Sequence, residues 1–307
     1  MPIKTQYQDW ITMPEVTANN LTLHYDEHGD PSHPPVLLVM GLGAQMVLWP
    51  QEFVDALVGH GYRVIRYDNR DIGLSQKFDG ARAPGIRMQV IRKLIGWPAR
   101  VPYTLKDMAD DGIGVLDALG IEKAHIVGAS MGGMIAQLMA IHHGHRMHSL
   151  TSIMSTTGNA KLPQADKKAI ETLTAPIESM EEEWLVEHGI AIQQAIGSPG
   201  FTPDPERQRT RVEQTIRRSV YPAGLPRQLA AIIDDGDRTK RLANVNVPTL
   251  VLHGEGDPLV KVEAGRATAA AIPAAKLVTI PGWGHDLPLE LVDQLTGEIV
   301  SHARAAA

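Results

Sequence analysis

An α/β fold, with a mostly parallel sheet wrapped by helices on both faces, is what this sequence of 307 residues predicts, and three observations carry the prediction. Short β-rich apolar runs alternate with helical patterns through the first half and again near the C-terminal end. The runs Pro35 to Met40, His125 to Val127 and Val247 to His253 are apolar almost throughout, as strands buried on both faces of a parallel sheet are. One of them passes straight into a helical pattern through Gly128-Ala129-Ser130-Met131-Gly132. A strand that turns at once into a helix bends sharply, and flanking glycines remove the side chains that would collide at the bend.

Composition narrows the classes. The net charge of −6 is mild and its charges are interspersed, which argues against a nucleic-acid surface and supplies no polybasic membrane patch. With no cysteine there is no disulfide framework, thiolate nucleophile or cysteine-held metal. The start, MPIKTQYQDW, has no apolar h-region, and no apolar run approaches membrane-spanning length. The expectation is a soluble, cytoplasmic protein with no membrane partner, and nothing in the composition stands against a homo-oligomer.

Taken in order, Leu21 to His28 alternates apolar and polar and suits an edge or half-exposed strand, ended by Gly29-Asp30-Pro31. Pro35 to Met40 suits a central strand, followed by Gly41-Leu42-Gly43 and a helix from about Pro50 to Val58. Tyr62 to Tyr67 is the next strand and runs into Asp68-Asn69-Arg70-Asp71. Between residues 81 and 102, Met88, Ile91, Leu94 and Ile95 suggest a short amphipathic helix that helps close a pocket. Thr104 is placed to cap a helix to Leu119, with Asp107 at the capping-box position and Gly120 at its end. The Ser130 turn comes next, then a strand over Ser149 to Met154.

After Gly158 the character changes. Residues 159–240 hold helical runs broken by prolines and no convincing strand, whereas Val247 to His253, Glu263 to Ala271, Lys276 to Ile280 and Leu287 to Ala303 return to strand–helix alternation. The expected organisation is therefore a core of residues 1–158 and 241–307 with a helical cap, residues 159–240, over the carboxyl edge of the sheet.

A serine hydroxyl needs a base, and the base needs a group that fixes its tautomer. Candidates must follow the ends of other strands, which converge on one rim. His285 lies in Pro281-Gly282-Trp283-Gly284-His285-Asp286, after the last strand and before the closing helix. For the acid, Asp257 in the glycine-rich turn after the penultimate strand competes with Glu255 and with Asp286. His142, His143, His145 and His148 look like a metal cluster, but a helix ending at Gly144 cannot present them on one face.

Together these motifs resemble the α/β-hydrolases, and within them the single-cap serine esterases of the aclacinomycin methylesterase type. The likeness rests on Met40 to Gly43, Arg66 to Ser75, the Ser130 turn, His253 to Pro258 and Gly282 to Pro288. It implies the chain order Ser130, Asp257, His285 for nucleophile, acid and base. It also implies an oxyanion hole of the Leu42 and Met131 N–H groups, with no metal and no cofactor. Met40, Gly41, Met134 and Trp283 are the pocket candidates. Two positions depart from the family pattern: Met40 stands where many relatives carry histidine, and Asp71 where others carry glycine. The implied reaction is cleavage of a carboxylic ester with small to medium apolar groups. The same triad serves lactone, thioester and carbon–carbon hydrolysis and perhydrolysis, and receptor-like members of the fold bind with negligible turnover. A nucleotide-binding reading of Gly41-x-Gly43 fails because Met46 stands at the third glycine.

Overall fold

A computed structural model describes residues 14–85, 88, 89, 91, 92, 97 and 100–306. Eight strands form one sheet: β1 (Glu15–Ala18), β2 (Leu21–His28), β3 (Pro35–Val39), β4 (Arg63–Tyr67), β5 (Ala124–Ala129), β6 (Met147–Ile153), β7 (Thr249–Gly254) and β8 (Lys276–Ile280). Their order is β1-β2-β4-β3-β5-β6-β7-β8. The β1/β2 and β2/β4 pairs are antiparallel and all others parallel. The edge strand is β1, so β2 is internal. The two strands meet at Asn19-Asn20, whose φ values of 48° and 62° make the two-residue hairpin turn that asparagine tolerates.

Alternation along each strand explains the two layers. Leu37, Val39, Ile65 and Ile126 face α2 (Leu105–Ala118) and α3 (Met131–His143) in one core. Val36, Leu38, Val64 and Val127 face the other way, against Phe53, Val54 and Leu57 of α1 (Gln51–Gly59) and Leu295 and Ile299 of the last helix. The α2 cap has the geometry expected of Thr104 and Asp107: each side chain accepts from the other's backbone N–H.

Between β6 and β7 the chain runs through α4 (Lys167–Leu173), α5 (Glu182–Ile196), α6 (Pro205–Arg218), α7 (Gly224–Asp235) and α8 (Thr239–Leu242). After β7 come α9 (Val262–Ala271) and, following β8, α10 (Val292–Ala305). In the 81–102 stretch Leu94 and Ile95 lie outside the described residues. Met88, Ile91 and Trp97 are 51%, 52% and 64% exposed and none lines the cavity, so they do not cover a pocket as expected. No described helix is long and apolar enough to cross a membrane.

Candidate active site

The strand-to-helix turn explains its own sequence. Ser130 has φ 56° and ψ −119°, a conformation that side chains rarely adopt. A Cβ at residue 128 would stand 2.2 Å from the Gly132 carbonyl oxygen, and one at residue 132 would stand 2.0 Å from that of Val39. Glycine is required at both places by direct collision. The strain is held by neighbours on the sheet: Ser130 N–H donates to the Ile153 carbonyl at 2.9 Å, and the Ser155 hydroxyl donates to the Ser130 carbonyl at 2.8 Å.

From Ser130 a line of hydrogen bonds crosses three strand ends. Ser130 Oγ is 2.9 Å from His285 Nε2, and His285 Nδ1 is 2.7 Å from Asp257 Oδ2. Asp257 is buried, and its other oxygen accepts the Leu259 and Val260 N–H groups, each at 2.8 Å. One carboxylate oxygen is thus fixed by its own turn and the second is left for the imidazole. Glu255 is exposed and takes the Thr279 hydroxyl, while Asp286 takes the hydroxyl of Ser198. Neither competing acid bonds to the His285 ring. The His285 loop is also tied to the α5–α6 connection, since His285 N–H donates to the Ile196 carbonyl at 2.8 Å and Gly284 N–H to Ser198 Oγ at 2.8 Å.

Beside these three side chains, buried His253 places Nε2 2.7 Å from the Val260 carbonyl oxygen and 3.6 Å from Asp257. Burial pushes its pKa down, so it adds no charge next to the acid. Met131 opens α3 and presents one of the free N–H groups of a helix N-terminus. The backbone at Gly41 passes so close that a Cβ there would be 3.1 Å from Ser130 Cβ.

Ser130 and His285 open onto a cavity of about 1000 Å³. Met40, Gly41, Leu42, Met131 and Met134 all contribute to its wall with Ser130 and His285. Trp283 does not, contrary to its place among the pocket candidates. It is fully buried in the core shared with α10, where its indole N–H donates to the Asp286 carbonyl at 2.8 Å. The flanking glycines let the loop pack closely on the chain at Gly197 and Gly200: a Cβ at residue 284 would stand 2.4 Å from the Gly197 carbonyl oxygen. Of the histidines around Gly144, His143 pairs with Asp110 at 2.7 Å and lies edge-on to His142, while His148 packs on His125. Among the described residues no group of three or more His, Asp or Glu side chains is arranged to hold a metal.

Sequence reasoning missed the polar network under this site. Asp71 sits at φ 67°, a left-handed backbone conformation that glycine adopts most readily, and its carboxylate accepts four hydrogen bonds. Arg227 donates to both oxygens at 2.7 and 2.9 Å, Tyr103 to one and the Phe78 N–H to the other. Buried Asp68 pairs with Arg218 at 2.7 Å. The available signal was the departure at Asp71.

Comparison with known proteins bears on the family and the fold. A family model described as the alpha/beta hydrolase fold matches residues 34–290. A rhodomycin D methylesterase of Streptomyces sp. (strain C5) is 30% identical over 95% of this chain and 98% of the relative. Another, of Streptomyces peucetius, is 29% identical over the same shares. Among solved structures, the 2-hydroxy-6-oxo-6-phenylhexa-2,4-dienoate hydrolase of Rhodococcus sp. strain RHA1 superposes with a TM-score of 0.72 at 21% identity. That match covers 95% of this chain and 100% of the other, and carries the fold alone.

Proposed function

The chain belongs to the α/β-hydrolase family, and from that premise we propose that it is a serine esterase whose nucleophile, base and acid are Ser130, His285 and Asp257. The single observation that carries the assignment is the unbroken line from Asp257 Oδ2 through the imidazole to Ser130 Oγ. His285 Nε2 takes the hydroxyl proton as Oγ attacks the acyl carbon, and Asp257 holds Nδ1–H and steadies the imidazolium that forms. The carbonyl oxygen, now charged, meets the Leu42 and Met131 N–H groups, each worth about 3 kcal/mol in such sites. The proton then passes to the departing alkoxide, which leaves as an alcohol. Water, deprotonated by the same histidine, frees the acid from Ser130.

The substrate reading is a methyl ester of a bulky, mostly apolar acid. The names of the two Streptomyces relatives support the small alkoxy group. A cavity of about 1000 Å³, at the upper end of ligand sites, supports the bulky acid. Residues 159–240 act as a cap that shapes this cavity, a reading supported by the lining contributed from Gln193, Pro199 and Gln208.

The test is labelling with an alkyl fluorophosphonate followed by peptide mapping. One adduct is expected, on Ser130, and none in Ser130→Ala, whose turnover should fall about 10⁴-fold or more. An adduct that persists undiminished in Ser130→Ala overturns the assignment. Turnover on methyl esters against p-nitrophenyl esters of rising acyl size then tests the substrate, and negligible turnover on all of them would favour a receptor-like role.

A further inference from the structure

We propose that Gln228, on α7, is a positioning residue for the oxyanion hole, holding in place the loop that carries the Leu42 N–H donor. The inference rests on the serine-esterase reading and adds to it a residue from outside the strand-end loops.

The Met40–Ala44 loop is a tight turn. Ala44 N–H donates to the Gly41 carbonyl at 3.3 Å, with Leu42 and Gly43 at the two central positions. Gly43 has φ 65°, the positive value that marks a type II turn at the third residue. Types I and II differ by a flip of the central peptide, here Leu42–Gly43, at small cost to the flanking chain. The N–H of that peptide is the one Gln228 holds: Gly43 N–H donates to Gln228 Oε1 at 2.9 Å. The Gln228 amide nitrogen in turn donates to the Arg70 carbonyl at 2.9 Å, which fixes which end of the amide faces the turn. On the near side of the turn, Asn69 donates to the Met40 carbonyl at 2.9 Å.

Both amides are essentially inaccessible, Gln228 at 0% and Asn69 at 1% exposed, so no water replaces either bond without rearrangement. The turn is therefore clamped from both sides by buried side chains, one from the β4 loop and one from α7. Arg227, the preceding residue, binds Asp71 from the same helix and holds α7 against the β4 loop. Loss of the Gln228 acceptor leaves Gly43 N–H buried and unpaired and frees the central peptide to flip. The Leu42 N–H lies in the preceding Gly41–Leu42 peptide, so it shifts only by the small readjustment of a turn no longer held. Oxyanion donors act only when they meet the charged oxygen at about 2.7–3.1 Å, so a displacement of well under 1 Å weakens transition-state binding more than substrate binding.

The experiment compares wild type, Gln228→Met and Gln228→Glu, each counted by phosphonate titration of Ser130 and assayed on one methyl ester. A trifluoromethyl ketone, which forms a charged tetrahedral adduct on the serine, reports on the hole directly. For Gln228→Met the expected result is a fall in kcat per titrated site of about 10- to 100-fold, KM within about threefold, and weakening of the ketone in step with kcat. Gln228→Glu keeps an acceptor for Gly43 N–H and should recover part of both losses. If Gln228→Met lowers the melting temperature but leaves kcat per site and ketone affinity unchanged, the residue is only structural and the proposal is overturned. A rise in KM at constant kcat overturns it equally. If wild type itself takes no phosphonate on Ser130, the serine reading fails and the clamp falls with it. Labelled wild type with an indifferent Gln228→Met sinks the clamp alone.

Discussion

Beyond β7 and β8, buried Asp257 meets one imidazole, and the line of hydrogen bonds ends on a serine hydroxyl in the wall of a cavity. Beyond β4, on the same edge of the sheet, buried Asp68 and Asp71 meet the guanidiniums of Arg218 and Arg227, and every line closes on a donor inside the protein. Asp68 also accepts the N–H groups of Met46 and Leu74, and Asp71 those of Phe78 and the Tyr103 hydroxyl. Both regions hold buried ionisable groups, which are often taken as the mark of a functional site. The difference lies in where the network ends. A chain that stops at an uncharged, poorly nucleophilic hydroxyl facing open volume has a proton to move. A carboxylate saturated by a guanidinium and by backbone donors has none.

The largest effect that sharpens this contrast is expected at Asp257. Asp257→Asn keeps an acceptor for the Leu259 and Val260 N–H groups but offers an amide to His285 and so favours the wrong tautomer. In the serine-protease triad the same change costs about 10⁴-fold in turnover, and a loss on the order of hundreds-fold or more is expected here, with the melting temperature little changed. Activity on one p-nitrophenyl ester and a thermal melt check it. Near-normal turnover in this variant would break the contrast.

Asp71→Ala should do the reverse. It strands a guanidinium that is itself 4% exposed as a residue, and removing one member of such a pair costs about 3–5 kcal/mol. Denaturant midpoints should drop accordingly, while turnover per folded molecule stays within about tenfold. The double change Asp71→Leu with Arg227→Met should recover much of the stability, because two apolar side chains leave no charge unpaired. Turnover lost by hundreds-fold with no change in stability would move Asp71 from scaffold to chemistry.

How much of this was legible in sequence follows from the range of the forces. The Ser130 turn could be read because the collision at Gly128 is with Gly132, four residues on, although the one at Gly132 is with Val39 of a neighbouring strand. Strand patterns could be read because burial on two faces leaves no room for polar side chains. Thr104 and Asp107 were legible for the same local reason. The β1–β2 hairpin was missed although Asn19-Asn20 signalled it, since four residues with exposed Glu15 carry little periodicity. Trp283 was misassigned because closeness in sequence to His285 says nothing about which way neighbouring side chains turn. Most opaque were Arg218, Arg227 and Gln228. Their partners lie more than 140 residues away, so no local pattern distinguishes them from an ordinary charged helix face.

The smallest effect separates the proposed acid, Asp257, from its two neighbours. Glu255→Gln and Asp286→Asn should each lower turnover by less than about tenfold, because neither carboxylate bonds to the imidazole in this structure. Asp286 gives a second reading through pH. Burial raises its pKa above the ordinary carboxylate value of 3.8, against the lowering effect of the Ser198 hydrogen bonds. A group whose folded pKa is raised contributes its stability below the unfolded value and loses it as pH climbs through the folded one. At neutral pH the ionised side chain is therefore a burden on the fold, and Asp286→Asn lifts it while keeping an acceptor for the Ser198 hydroxyl. The variant should melt higher than wild type at pH 7, and the gap should shrink as pH falls toward 4. Melts at both values with turnover at pH 7 decide the matter. A gap that persists unchanged at low pH would show that ionisation of Asp286 is not its source, and a collapse in turnover would make Asp286 rather than Asp257 the acid that serves His285.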